Sequence, residues 1–311
     1  NWILEYGLKE ANKCFIIFLY DKIEGIFYMR SLVKASDGIH LKEYKMPELK
    51  KGFVRINVKE VGLCRTDLFV ADGTIKVDQD IILGHEFSGI IVETKSTLFK
   101  VNERVSVNPL FDIRFMGLDF DGCLRDFIDV PEEQVIRAFD LDFKVAAYLE
   151  PVAASMAVLK VCHDKKAKGA VFGYNRIAEL TYIILKEEGY NIEWIDEKNI
   201  TAQDNEYDYV IETLFNEVYL SKIIKLLKKE GTLVVKSRKK QLTGLVASDL
   251  VAKELTLRCV NYYDFNKTME WLISHQNTIS HLLGDSYPLD DWRNAFDEAY
   301  KGESKKIFIH I

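Results

Sequence analysis

Cys64, in the run Gly62-Leu63-Cys64-Arg65-Thr66-Asp67, and the Gly84-His85-Glu86 triplet place a thiolate, an imidazole and a carboxylate within 23 positions of one another. A further carboxylate, Glu150, follows in Leu149-Glu150-Pro151. These are zinc ligand types, and a catalytic zinc commonly takes three protein ligands while one position stays open for water or substrate. One thiolate, one neutral imidazole and one carboxylate balance a divalent ion. Binding needs Cys64 deprotonated and His85 neutral, so affinity falls in acid. Taken singly, each residue has a plainer role: Cys64 as a small buried hydrophobe, His85 as a satisfied core histidine, Glu86 as a surface charge. Which carboxylate completes the set stays open. Neighbours in extended backbone point to opposite faces, so His85 and Glu86 reach one ion only where the chain bends.

The elements that position these residues fall into two patterns. From Met29 to about Val130 the chain is short-stranded, with alternation in Phe53–Val58, apolar runs at Gly89–Val92 and Val105–Val107, and Gly or Pro between them. That predicts a small, closed or nearly closed β-barrel. After Glu150 strands and helices alternate. Ala170–Gly173 reads as a strand, Arg176–Glu188 as a helix, Ile192–Ile195 and Tyr207–Glu212 as strands, and Ser221–Lys229 as a helix with Gly231 at its C-cap. Strands at Leu233–Lys236 and Leu255–Val260 complete the β-α-β rhythm of a doubly wound parallel sheet. A helix to Tyr300 leads to a last strand, Lys306–Ile311.

A dinucleotide site in such a sheet uses G-x-G-x-x-G between strand and helix: the first Gly turns the chain, the second admits the pyrophosphate, the third lets helix pack on strand. The corresponding run is Gly173-Tyr174-Asn175-Arg176-Ile177-Ala178. The first position is kept, Ala178 is a tolerable third, and Asn175 replaces the second. Asn tolerates left-handed backbone, which preserves the turn, while its side chain takes space a phosphate would use. Asp196 ends the next strand at 23 positions from Gly173, near the roughly 20 expected of a carboxylate that holds ribose hydroxyls. It favours NAD over NADP. Arg176, at the helix start, is placed either to meet the pyrophosphate or to be solvated.

Size and charge set the remaining bounds. The chain has 311 residues, 48% of them hydrophobic, enough for two domains with sizeable cores. Its net charge of −6, with Lys and Arg interspersed among acids, leaves no basic face for a nucleic acid. Cys14, Cys64, Cys123, Cys162 and Cys259 are odd in number and form no C-x-x-C pair, which implies a reducing, cytoplasmic setting. The apolar run Cys14–Tyr20 is too short for a membrane span and a poor signal peptide, so no membrane partner is expected.

Gly62–Leu68, Leu83–Gly89, Val101–Val105, Asp121-Gly122-Cys123 and Tyr148–Ala153 resemble, in order, the zinc-dependent medium-chain dehydrogenase/reductase family, which includes alcohol, sorbitol and threonine dehydrogenases. The resemblance implies an α/β protein: a GroES-like β-barrel catalytic domain over 29–150 and 286–311, and a Rossmann nucleotide-binding domain over 151–285. Residues 1–28 precede the family-like sequence and are expected to be an extension without an assigned function. They read as a fused fragment, a processed end or translated upstream sequence, with an amphipathic helix over Glu5–Ile16.

The resemblance also implies roles. A zinc ion binds the oxygen of an alcohol or polyol, Thr66 accepts its proton, Asp67 orients His85, and hydride passes to NAD. Arg65 stands where several relatives hold a cofactor phosphate. Glu150 stands where polyol dehydrogenases carry a Glu, so it is favoured as the ligand or as partner of the bound water, with Glu86 behind or exchanging with it. Asn108-Pro109 is followed by no cysteine lobe, so one zinc is expected and no structural zinc. Phe69 replaces the His that relays the proton outward in many relatives. Phe69, Phe111, Phe115 and Phe120 are candidates for the pocket wall, although barrel packing suits at least half of them.

The Glu at position 150 and the missing lobe lean toward polyol, sugar or cyclitol substrates, and relatives are commonly homodimers or homotetramers. Two rival readings remain: a catalytically impaired member acting as a zinc-binding scaffold or partner subunit, suggested by Asn175 and Phe69, and a zinc-free quinone reductase-like enzyme, against which the ligand set argues.

Overall fold

The computed structural model describes residues 28–78, 80–238, 247–302 and 304–311. The helix expected over Glu5–Ile16 lies outside them. The first half consists of β1 (Tyr28–Ala35), β2 (Gly38–Lys45), β3 (Phe53–Gly62), β4 (Ile81–Ile82), β5 (Glu86–Thr94), β6 (Arg104–Val107), β7 (Leu110–Phe111), β8 (Arg114–Phe115), β9 (Phe127–Pro131) and β10 (Val135–Arg137), with helix α1 (Arg65–Ala71) between β3 and β4. β3 is the central strand. It pairs antiparallel with β5 on one side, and on the other with β9 through residues 53–57.

Period-two alternation turns Val54, Ile56 and Val58 into one core with Leu83, Phe87, Ile91, Val105 and Ile128. A register shift between Val58 and Glu60 inserts one residue. The alternation flips there, so Val61 also points into the core and Gly62 arrives beside the proposed metal residues.

The second half begins with α2 (Phe143–Ala147) and α3 (Leu149–Met156) and continues with β11 (Gly169–Phe172), α4 (Arg176–Glu187), β12 (Ile192–Ile195), β13 (Tyr207–Glu212), α5 (Glu217–Leu226), β14 (Leu227–Val235), α6 (Ala247–Ala252) and β15 (Thr256–Cys259). All five strands are parallel, in the order β12-β11-β13-β14-β15. α4 covers one face, with Ala178 and Leu185 against Val171 and Ile211, and α5 covers the other, with Leu220 and Ile223 against Phe172 and Val210. This is the doubly wound sheet that the β-α-β rhythm predicts.

Two details differ from the sequence reading. Asn216 accepts a hydrogen bond from Tyr219 N at 2.9 Å and starts α5 four residues earlier than Ser221. The chain is already extended at Leu227, so Gly231 lies inside β14 and caps no helix. The second difference is topological. A complete dinucleotide fold has six strands, in the order 3-2-1-4-5-6. Here residues 196–206 run from β12 to β13 without a helix or a further strand, packing Ile200 and Ala202 on the α5 face. One strand-helix unit of the fold is missing.

α7 (Phe265–Ile279) packs on α2 and α3 through Trp271, Leu272 and Met269. The chain then returns to the first sheet: β16 (Leu283–Pro288) and β17 (Lys306–His310) flank α8 (Trp292–Lys301), β17 pairs parallel with β16, and Phe308–His310 pair antiparallel with Glu60–Gly62. Among the described residues no helix is long and apolar enough to cross a membrane.

Candidate metal and nucleotide site

The bend that would let His85 and Glu86 face one ion is present. β4 ends at Ile82 and β5 starts at Glu86, so His85 lies in the break between them, after Gly84 at φ +93°. That left-handed backbone favours glycine, and a Cβ at Gly84 would also stand 2.9 Å from Cys123 Sγ. His85 Nε2 consequently lies 3.9 Å from Glu86 Oε1. One ligand atom each from Cys64, His85 and Glu86 gathers within 4.8 Å.

Asp67 ties the two segments together. Its Oδ2 accepts from Cys64 N at 2.9 Å, at the start of α1, and its Oδ1 accepts from Gly84 N at 3.0 Å. The same Oδ1 lies 3.4 Å from His85 Nδ1. With Nδ1 turned to Asp67, Nε2 is left for a metal. Burial disfavours a charged His85, but Asp67 outweighs it and holds the imidazole well above its ordinary pKa. Replacing Asp67 by Asn, which presents one acceptor oxygen instead of two, is expected to weaken metal binding about 10–100-fold. A competition titration against a chromogenic chelator checks this, and an unchanged affinity would show that Asp67 does not position the site.

Glu86 has a partner that the sequence reading did not identify. Its Oε2 is ion-paired with Lys306 Nζ from β17, both side chains being 2% exposed or less. Burial raises the Glu86 pKa and Lys306 opposes that rise. The pair fits because residue 62 is glycine: a Cβ there would lie 2.7 Å from Lys306 Cε and 2.9 Å from Glu86 Oε2. Oε1 remains directed toward His85.

Glu150, the carboxylate favoured from the sequence, stands outside the cluster. It accepts from Tyr262 Oη and lies 3.7 Å from Arg238 Nη1. Arg238 in turn donates to Tyr262 Oη at 2.8 Å and stacks over its ring at 4.4 Å. The bend at Gly84 removes the geometric objection to Glu86, which is why Glu86 and not Glu150 joins Cys64 and His85. Thr66 Oγ1 is 3.8 Å from Cys64 Sγ. Of the four aromatic candidates, Phe115 tilts against His85 at 4.9 Å and Phe69 is 41% exposed. Phe111 and Phe120 line a separate cleft with Met116 and Arg125.

The residues present fit a divalent metal. The donor set is one thiolate, one imidazole and one carboxylate gathered within 4.8 Å, and Cys64 is partly exposed, which leaves an approach from solvent.

At the nucleotide loop, Gly173 makes the turn with φ +126°. Asn175 is extended, at φ −153° and ψ 163°, so its role is not left-handed geometry. It caps α4: Oδ1 accepts from Ile177 N and Ala178 N, both at 3.1 Å, while Nδ2 donates to Thr213 Oγ1 at 2.8 Å. The carboxylate that reaches the loop is Glu197, not Asp196. Glu197 Oε2 accepts from Tyr174 N at 2.6 Å, whereas Asp196 turns back to accept from Lys198 N at 2.9 Å. β12 ends at Ile195, and the second residue beyond it, not the first, faces the loop. For a dinucleotide the fit is therefore split. The glycine turn is in place and a buried carboxylate faces the loop, but the first amides of α4 are engaged by Asn175.

Arg176 Nη1 donates to Lys305 O at 2.9 Å, tying α4 to the segment before β17. Burial pushes the Lys236 ammonium down to about 7, and Arg238 and, more weakly, Arg65 add to the depression. Lys236 follows β14, next to Glu212, whose carboxylate accepts from Lys236 N and Ser237 N at 2.7 and 2.8 Å.

Residues 50–140 match the alcohol dehydrogenase GroES-like domain family. The chain is similar to L-threonine 3-dehydrogenase of Bacillus velezensis, at 23% identity over 90% of this chain and 98% of that protein. Among solved structures it is similar to 2R,3R-butanediol dehydrogenase from Bacillus subtilis, with a TM-score of 0.80, 23% identity and coverage of 91% and 99% of the two chains. Acetophenone reductase from Geotrichum candidum, solved in complex with NAD, has a TM-score of 0.79 at 14% identity, with 91% and 97% covered. With the barrel, the returning C-terminal strand and the doubly wound sheet in place, the chain carries the alcohol dehydrogenase GroES-like domain at residues 50–140 and shares its overall fold with these dehydrogenases.

Proposed function

We propose that the protein is a zinc-dependent oxidoreductase acting on CH–OH groups, which transfers hydride between a secondary alcohol of polyol, sugar or cyclitol type and NAD. The observation that carries this reading is the convergence of Cys64, His85 and Glu86 within 4.8 Å around a partly exposed thiol. Cys64, His85 and Glu86 would hold a zinc ion, which would supply Lewis acidity to make an alcohol more acidic. Thr66, whose hydroxyl lies 3.8 Å from Cys64 Sγ, would take the alcohol proton. Asp67 fixes the His85 tautomer, and Lys306 offsets the charge of Glu86 so that one carboxylate oxygen stays directed at the cluster.

Glu197 is assigned to the adenosine ribose. A buried carboxylate at that point repels a 2′-phosphate, which favours NAD over NADP. Free Cys64, Cys123, Cys162 and Cys259 fit a cytoplasmic enzyme, and the exposed edge strand β15 fits a homodimer or homotetramer.

The test is metal analysis followed by NADH titration and a polyol screen. About one zinc per chain, micromolar NADH binding and alcohol-dependent NAD reduction are expected. Zinc without nucleotide binding would overturn the dehydrogenase reading in favour of a zinc-binding scaffold, which the Asn175 cap supports.

A further inference from the structure

In an open α/β sheet the ligand crevice lies at the carboxyl ends of the strands where the chain winds to opposite sides. Here that point lies between β11 and β13, flanked by the turn at Gly173 and by Thr213. The crevice is spanned by the protein's own groups. Asn175 Nδ2 reaches across it to Thr213 Oγ1 at 2.8 Å, and Thr213 Oγ1 donates onward to Phe172 O at 2.9 Å. On the near side, Asn175 Oδ1 takes the amides of Ile177 and Ala178 at the start of α4. The loop is also held from outside. Glu197 takes Tyr174 N, Trp194 Nε1 donates to Gly173 O at 2.6 Å, and the Tyr174 ring stacks on Trp194 at 5.3 Å with 14° between planes.

The first-turn amides of a helix are the donors that bind phosphate oxygens. An oxygen already on them is a competitor, and a glycine in place of Asn175 would leave them open. We infer that Asn175 sets the affinity of this protein for a dinucleotide: its side-chain amide stands where a pyrophosphate oxygen would bind and is displaced when the cofactor enters. The inference rests on the NAD reading proposed above. Thr213 is a positioning residue in this account, because it holds the amide in its occluding rotamer. Glu197 has the same kind of dual relation to the loop, since the carboxylate proposed for the ribose already has Tyr174 N as its partner.

Asn175→Gly is the informative variant. Glycine is itself an acceptable helix N-cap, so α4 keeps most of its stability while the occluding amide is removed. NADH titration by fluorescence of wild type, Asn175→Gly and Thr213→Val, with adenosine titrated in parallel by NMR, separates the outcomes, and thermal unfolding verifies that each variant is folded. Asn175→Gly is expected to bind NADH about tenfold more tightly than wild type, a change of about 1.4 kcal/mol in binding free energy. Thr213→Val is expected to gain several-fold, with adenosine affinity unchanged in both. Equal NADH affinity in wild type and Asn175→Gly would overturn the inference and leave the dehydrogenase reading standing. An equal gain for adenosine would also overturn it, because the effect would then not involve the pyrophosphate. No NADH binding in any variant would overturn both the inference and the cofactor assignment.

Discussion

Lys306→Met is expected to cost about 3–5 kcal/mol of stability, read as a lowered urea midpoint. That is the usual penalty for leaving one member of a buried ion pair without its partner. Both partners are buried: Glu86 is 2% exposed, Lys306 is 1% exposed, and both occupy the space that a Cβ on residue 62 would need. Methionine matches the length of the lysine stem, so packing is largely kept and the missing charge is the main change. The double variant Lys306→Met/Glu86→Gln should regain most of the loss, because a neutral amide is far less costly to bury than a lone carboxylate. A single-variant loss below about 1 kcal/mol would show that Glu86 is carried neutral in the folded protein and that the pair contributes little.

Cys64→Ser is expected to abolish stoichiometric zinc and to lower turnover by at least about a thousandfold, the factor that corresponds to several kcal/mol of Lewis-acid stabilisation. Glu86→Gln should also lose metal. Glu150→Gln should retain it, since Glu150 is held by Tyr262 and Arg238 outside the cluster. Zinc retained in Glu86→Gln but lost in Glu150→Gln would reverse the ligand assignment drawn from the geometry. Metal analysis and turnover on the same three preparations decide the matter.

The barrel, the doubly wound sheet and the proximity of Cys64 to His85 were legible in spacing and alternation, because those depend on local period and on residue type. What was not legible depended on single backbone angles. The left-handed Gly84 decides that Glu86 and not Glu150 joins the cluster. The end of β12 at Ile195 decides that Glu197 and not Asp196 faces the loop, a difference of one residue that inverts which side chain turns inward. Asn175 was read as a tolerated left-handed residue, whereas the energetically simpler role of an asparagine just before a helix is to cap it. Lys306 did leave a signal. Period-two alternation places it on the face of Phe308, which is fully buried, and a lysine on a buried face implies an acid opposite. The missing strand-helix unit is visible as the short stretch 196–206, too short for the further strand and helix of a complete fold.

The return of β17 to β3 also has a meaning for synthesis. Glu60–Gly62 pair with Phe308–His310, and Glu86 is neutralised by Lys306. A nascent chain on the ribosome therefore carries an open edge on its central strand, and an unmatched carboxylate beside it, until nearly all of the described residues have been translated. Exposed strand edges of this kind are templates for pairing with another chain. The most aggregation-prone interval of this protein's life is thus set by its connectivity: the barrel is begun before the doubly wound sheet and sealed after it.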